Sequence, residues 1–474
     1  ADPAPAYQRH RLNRDVDKRA GLVVVGALMI AAAYCLPPAF DEVYYWTWAS
    51  APGWTYYDHP PGVAWAIAAA RVVFGDGLLA LRVVGLGGAA VVAVASVASA
   101  RRLADDPRDA SYLALLTLAG SMMFVIGYLP ATPDVVQGAV LALATHALIR
   151  SRTSRVAAVV AAALFVGGIV VKHSSALVLI GVAATLVMRR PRVFNSPWPW
   201  LGAALGAALL VPWWLADTEG STAFQAARVF SAAKVRGVVG VPLTVGAMLL
   251  TLGVPFTVAF FALPMRRLSV VESALTAGAW CLVLACAVAA WLGTGEINWV
   301  MPALVVALPV AVARLSAKRR RLYVVVTAVT AAVWAAGLLH IVTPYLPLEP
   351  AKDRTLRSAG FDVIAAEAEA LARTHGADTL VARRYQIASM MRFWTADRLA
   401  VYELGTSRES QYDRWPRPPL RAGDRAVVVL PTQRLPDGLT PIGPATRVEQ
   451  TRAGRALGTY VLTPVVVSAE FTRQ

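Results

Sequence analysis

Charge is scarce in this sequence. Only 16% of its 474 residues are Asp, Glu, Lys or Arg, where soluble globular domains carry about 25%. Together with 57% hydrophobic residues and a mean hydropathy of +0.54, this argues against a soluble globular chain and for a polytopic membrane protein. Acids are scarcer than bases, 29 against 45, which leaves a net charge of +16. Such an excess can mark a nucleic-acid binder. Here the bases fall in short clusters between apolar runs, so they read as topology information and no nucleic acid partner is expected. Cysteine is nearly absent. Cys35, Cys281 and Cys286 all lie in apolar runs, with no CxxC and no Cys/His cluster, which speaks against a disulfide framework and a zinc site. Internal repeats and low-complexity segments are missing too.

What is abundant is the apolar run. Eleven candidate spans follow one another at roughly 20–38, 78–100, 111–129, 134–149, 156–171, 174–188, 198–216, 241–263, 271–292, 298–313 and 322–341. A helix needs about 20 apolar residues to cross the hydrocarbon core. The run 62–75 is shorter and ends in FGDG, so an interfacial helix is expected there. The first run is read as a retained span rather than a cleaved signal peptide, because an acidic, aromatic stretch follows it closely and the charge alternation needs it.

The bases alternate. Arg9, Arg11, Arg14, Lys18 and Arg19 come first, then Arg101, Arg102 and Arg108. Arg150, Arg152 and Arg155 follow, then Arg189, Arg190 and Arg192, then Arg266 and Arg267, and finally Arg314, Lys318, Arg319, Arg320 and Arg321. Every cluster falls on alternate loops, so all can face the cytoplasm, with the N-terminus inside and the C-terminus outside. After about residue 345 polar residues spread evenly. Residues 359–375 read as an amphipathic helix, 385–394 as a second helix, and ADTLVA (377–382) and RAVVVLP (425–431) as buried strands. The expected architecture is an all-α polytopic membrane domain over 1–345, with a small extracytoplasmic α/β domain over 346–474.

The polar chemistry gathers on the loops opposite the arginines. The stretch FDEVYYWTWASAPGWTYYDHPPG, residues 40–62, sets Asp41, Glu42, Asp58 and His59 among aromatics. Asp134 opens a span, and Lys172 and His173 sit where two short spans meet. Plain structural roles exist for each. Asp41 and Asp134 are natural helix N-caps, and Tyr44, Tyr45, Trp46 and Trp48 suit an interfacial aromatic belt. The functional reading starts from a substrate with a phosphate head and a sugar. Aromatic faces stack on sugar rings and cations hold phosphate. A carboxylate takes a proton from an acceptor hydroxyl, and His59 and Lys172 neutralise a leaving phosphate. Nucleotide sugars are confined to the cytoplasm, so the donor would be lipid-linked.

These residues resemble a known family. DEVYYW followed by YYDHPPGVAW is similar to the first outer loop of the GT-C membrane glycosyltransferases. The likeness is nearest to the family 39 branch of protein O-mannosyltransferases and the lipid A aminoarabinose transferase. TPDVVQGAVLALATHAL, VKHSSALVLI, PWWLADTEGSTAFQ, INWVMPA, RYQIASMMRFW and SRESQYDRW also resemble this branch. The resemblance implies transfer of a sugar from a polyprenyl-phosphate donor to an extracytoplasmic acceptor, with two juxtamembrane helices in the first outer loop. Position by position, Asp41 matches the loop's key acid, with Glu42 beside it, and Asp134 the second acid. His59 matches a basic residue before Pro-Pro that contacts donor phosphate, although the family's closer members carry Lys there. Lys172 and Arg82 match donor-side cations, and Arg228, Lys234 and Arg236 are further phosphate-holding candidates. Asp58, Tyr44, Tyr45, Trp46, Tyr57, Asn298 and Trp299 are expected in the substrate pocket.

The implied reaction is a single in-line displacement with inversion at the anomeric carbon, and Asp41 as general base when the acceptor is a hydroxyl. No cofactor is required; a divalent metal is compatible but not demanded, since two or three cations balance the phosphate. The expected partners are the lipid-linked sugar donor, a lipid or glycan acceptor such as lipid A, lipopolysaccharide or another envelope glycan, and membrane lipids, in a bacterial inner membrane. A protein O-glycosyltransferase of the same fold is the alternative within this class. A transporter or flippase is the rival class. It predicts ionisable groups near the bilayer midplane and interrupted helices in matching halves, and the sequence displays neither.

Overall fold

The structure, a computed structural model, describes residues 4–217, 220–230, 237–292, 294, 296–349, 353, 355–405, 408–416 and 420–471. In chain order the helices begin with α1 (Ala4–Cys35), α2 (Phe40–Ala49), α3 (Gly62–Phe74), α4 (Leu78–Leu103), α5 (Pro107–Ala119), α6 (Met122–Val125), α7 (Pro133–Arg150) and α8 (Arg155–Gly167). They continue with α9 (Ser175–Arg189), α10 (Pro197–Ala216), α11 (Ser221–Phe230), α12 (Gly237–Leu252), α13 (Val254–Phe261), α14 (Val270–Trp291), α15 (Met301–Ala313) and α16 (Ala317–Val342). The last part runs α17 (Phe361–His375), β1 (Thr379–Ala382), α18 (Tyr385–Trp394), β2 (Ala400–Glu403), α19 (Gln411–Arg414), β3 (Arg425–Leu430), β4 (Leu439–Pro441), β5 (Thr446–Arg452) and β6 (Arg455–Val467). By length and apolarity alone α4, α10, α14 and α16 can each cross a bilayer, and a fifth span results if the apolar part of α1 is counted with α2.

Contacts divide the chain into two compact units that do not follow chain order. One comprises residues 1–35, 82–218 and 222–343. The other joins residues 36–81 and 219–221 to residues 344–474.

The helical unit is held by close approaches at small residues, the means by which apolar helices pack tightly without help from water. Gly202 and Gly206 of α10, one turn apart, lie against α8. A Cβ on Gly202 would fall 2.2 Å from the Val159 carbonyl oxygen, and one on Gly206 would fall 2.8 Å from that of Ala163. Gly181 of α9 meets Gly278 of α14 the same way.

Two expected spans are broken. The run 111–129 divides at Gly120 and Ser121 into α5 and α6, and 241–263 divides at Gly253 into α12 and α13. Gly253 has φ +103, which a helix cannot continue through, and Pro255 lacks the N–H an unbroken helix would use. The breaks lie side by side. The Gly253 Cβ position is 3.0 Å from the Gly120 carbonyl oxygen, which accepts the Trp334 indole N–H at 3.2 Å.

Four of the arginine-bearing loops of this unit are bonded to one another. Arg314 bonds Glu272 at 2.6 Å, Arg320 pairs with Asp109, and Arg189 bonds Ser273 and the Leu268 carbonyl. Four loops that the charge alternation assigns to one side are therefore tied together.

In the other unit β1 lies between β2 and β3, parallel to both, and the antiparallel β6 follows β3 and pairs with β4 and β5. Val381, Val428, Leu430 and Val465 are core residues of this sheet, with Phe471 beside them. α17 buries Phe361, Ile364, Ala365, Ala368 and Ala372 on one stripe and stops at Gly376, φ +64. The helices and strands read from 359–394 and 425–431 are present within a residue or two. Strands β4, β5 and β6 are the addition.

Candidate active site

The first group of functional side chains belongs to the loop-containing unit. The chain enters α2 through Pro37 and Pro38, and Ala39 is extended at the N-cap. Ala39 has no side-chain acceptor, so Glu42 supplies the cap, its Oε2 accepting the Ala39 N–H at 3.1 Å. Glu42 is fully buried, whereas Asp41 is solvent-exposed on the first turn. The capping role open to Asp41 therefore falls to its neighbour, and Asp41, in the favourable field of the helix start, acts electrostatically on Tyr385.

The aromatics of α2 are core rather than a lipid-facing belt. Tyr44, Tyr45, Trp46 and Trp48 are all buried. The Tyr44 ring meets Tyr385 at 4.6 Å, Trp46 meets Phe393 at 5.3 Å, and Trp48 stacks on Tyr56 at 4.6 Å. The ring faces that could have received a sugar are largely occupied by α18 and by the loop itself.

The second acid of the loop is anchored from far along the chain. Arg408 donates from Nη1 to Asp58 Oδ1 at 2.6 Å and from Nη2 to the Tyr385 hydroxyl at 2.9 Å. Tyr44 accepts the Gln411 N–H at 2.6 Å and hydrogen-bonds Asp58. Gln411 Oε1 accepts the Tyr57 N–H at 2.7 Å, and the Tyr57 hydroxyl donates to Glu409 at 3.1 Å. The Arg414 guanidinium lies 5.5 Å from the Tyr57 ring centre. His59, half-buried, presents its ring edge-on to Tyr45 at 6.1 Å. Burial and the nearby Asp58 charge push the Tyr44 phenol well above its ordinary range. Burial also raises Tyr385; Arg408 pulls it back, and the charges of Asp41 and Asp58 push it up again. Burial would lower Arg408, but Asp58 and Tyr385 hold it above the usual guanidinium range. Asp41, Asp58, Tyr44, Tyr385 and Arg408 thus form one electrostatic cluster. Arg408, Tyr385 and Gln411 were not singled out as site residues from the sequence; the signals were two undifferentiated stretches, RYQIASMMRFW, which holds Tyr385, and SRESQYDRW, which holds the other two.

The second group belongs to the helical unit. Asp134 is the second residue of α7, behind Pro133, and Thr132 holds the N-cap position. Its carboxylate is used elsewhere: Oδ1 accepts Lys172 Nζ at 2.6 Å and Oδ2 accepts the Asn298 amide at 3.0 Å. Lys172 and Asp134 are 7% and 8% exposed, so this is a buried, charge-assisted triad. Gln137, one turn on, donates to Ser174 and Ser175 beside it. Arg228 pairs with Glu296, and its guanidinium lies 5.7 Å from the Trp299 ring centre. Arg82 is buried near the start of α4. Lys234 and Arg236 lie outside the described residues. The sequence reading passed over Thr222, which accepts or donates to His173 at 3.2 Å and bonds Asp217. Among the described residues no three His, Cys, Asp or Glu side chains are grouped to hold a metal ion.

The profile of a family described as dolichyl-phosphate-mannose-protein mannosyltransferase matches residues 58–215, a stretch that carries Asp58, His59, Arg82, Asp134 and Lys172. No curated protein sequence matches the chain. Among the solved structures that resemble its fold are two of one protein. One is ArnT from Cupriavidus metallidurans bound to undecaprenyl phosphate, at a TM-score of 0.63 and 15% identity over 95% of this chain and 98% of that one. The other is the same protein in the apo state, at 0.60 and 14% over 93% and 97%. At such identity the likeness is one of fold, and it agrees with the resemblance to the GT-C membrane glycosyltransferases, ArnT-like branch.

Proposed function

From a chain with the fold of the ArnT-like GT-C glycosyltransferases, we propose an integral membrane enzyme that moves a sugar from a polyprenyl-phosphate donor to an acceptor outside the cytoplasm. The topology proposed with it has eleven spans, an inner-membrane location, the N-terminus inside and residues 346–474 outside. The observation that carries the reading is the place of Asp41, solvent-exposed at the start of α2 and electrostatically coupled to Tyr385 beside the Asp58–Arg408 pair.

Asp41 is assigned as general base. An acceptor hydroxyl gives its proton to the Asp41 carboxylate as its oxygen forms the new bond to the anomeric carbon. The bond from that carbon to the donor phosphate breaks, its electron pair leaves with the polyprenyl phosphate, and the configuration inverts. Lys172, oriented by Asp134 and Asn298, offers a cation to the departing phosphate. His59, Arg82, Arg228, Lys234 and Arg236 are its proposed companions. Asp58 and Tyr44, fixed by Arg408 and Gln411, position the loop that carries Asp41 and His59. An acceptor that is already a phosphate, as in lipid A modification, needs no strong base. The match to a protein mannosyltransferase profile favours the second reading, a protein Ser/Thr hydroxyl acceptor, for which the base is required.

The test is mass spectrometry of envelope glycolipids and glycoproteins from cells with and without the gene, which also identifies the acceptor. Asp41→Asn is expected to reduce transfer by about 10²–10⁴-fold with expression unchanged. Full activity of that variant would refute the assignment.

A further inference from the structure

In the helical unit a groove of about 790 Å³ opens between α13, α15 and α16. This is within the size range of small-molecule sites, roughly 300–1,000 Å³. It is far from plain. Its walls are apolar, with Val254 and Val258 on one side and Leu322 and Val326 on the other. Val254, Val258 and Leu322 are exposed, and the exposed apolar row of α16 continues through Val325, Val329 and Val333. Its rim carries three cations, Arg314, Lys318 and Arg319, and no acidic residue is among the lining residues. Arg314 is satisfied by the buried Glu272. Lys318 and Arg319 are exposed on the first turn of α16, where the 26-residue helix adds its own positive end.

A free phosphate has no use for valine walls, and a zwitterionic lipid gains little from the rim. An amphiphile with an anionic head and a hydrocarbon tail uses both, since basic pockets beside membrane helices attract acidic head groups. We propose that this groove binds one anionic glycerophospholipid. The phosphate is held by Lys318, Arg319 and the start of α16, and an acyl chain lies along Val254, Val258, Leu322 and Val326. The site involves none of the residues assigned to glycosyl transfer, so it stands or falls separately from that activity.

The test uses the full chain in detergent, with native mass spectrometry of retained lipid after exchange against phosphatidylglycerol, phosphatidylcholine or inorganic phosphate. The unmodified protein is expected to retain one phosphatidylglycerol with a preference of roughly tenfold or more over phosphatidylcholine. Lys318→Gln with Arg319→Gln should erase the preference. Ala259→Phe, which fills the groove, should lose both lipids. Equal retention of the two lipids by the unmodified protein, displacement of the lipid by inorganic phosphate, or lipid retention unchanged in both variants would each overturn the proposal. If a variant fails to fold, judged by gel filtration, the competition on the unmodified protein decides.

Discussion

The Lys172–Asp134–Asn298 triad buries an ion pair inside the helical unit. An ion pair this buried has lost most of its hydration, and removing one member leaves the other charge without compensation, at about 3–5 kcal/mol. Replacing both members removes the uncompensated charge. Asp134→Asn and Lys172→Met are therefore each expected to lower the melting temperature in detergent, and the double variant to recover much of the loss. Activity should follow a different pattern. If Lys172 serves the departing phosphate as proposed, Lys172→Met should stay inactive in either background, whether or not the protein is stable. Additive losses of stability in the double variant would contradict the coupling. The sequence made these residues visible one at a time. It could not pair them, since Asp134 and Asn298 are 164 positions apart, nor could it tell that of two adjacent acids Glu42 turns inward to cap and Asp41 outward. Arg408 was the least legible of all. Its chemistry comes from Asp58, 350 positions away, and nothing in its local context marks it out from the other arginines.

Helices carry their information in periodicity and small residues, so they were easier to read. Each apolar run became a helix or a broken pair. The breaks at Gly120 and Gly253 escaped because hydropathy is blind to backbone conformation, and both glycines sit in stretches apolar enough to pass for continuous spans. The same residue type explains how α10 seats on α8. Gly202→Leu would drive a Cβ to within 2.2 Å of the Val159 carbonyl, where nothing flexible can give way. A loss of at least about 1–3 kcal/mol is expected, seen as earlier aggregation on heating. Gly87→Leu is the control, since no atom lies within 4 Å of its Cβ position. Equal melting of the two variants would remove the close-packing account. The strands divide in the same way. β1 is short and buried throughout, and β3 is short and buried beyond Arg425, so both are legible. β5 reads TRVEQTR, and only Val448 and Gln450 turn inward, so its identity as a strand depends on β6 alongside it.

At the scale of the whole molecule, the loop-containing unit is rich in constrained phenols. Burial pushes Tyr56, Tyr57 and Tyr460 up from 10.0 to about 12, and raises Tyr44, Tyr385 and Tyr412 as well. A group whose folded pKa is raised holds its proton more tightly when folded. Its contribution is fully present below pH 10 and is lost as pH climbs through about 12. Stability should therefore fall across that window. Phenolate absorbance should lag behind the titration of the unfolded chain and then rise together with loss of structure. Ionisation of all tyrosines at their ordinary pH in the still-folded protein would contradict the burial.

That unit has one more consequence, for how the protein is made. Its two main pieces, residues 36–81 and 344–474, are far apart in the sequence, and Arg408 emerges 350 residues after the aspartate it neutralises. At roughly 5–20 residues per second, a ribosome takes about 20–70 s to cover that distance. Throughout that interval the nascent loop holds an unneutralised Asp58 and a set of greasy rings with no α18 to cover them. Quality control would meet this half-finished unit in every copy, and a chain cut short anywhere before α18 and Arg408 would stay in that condition for good.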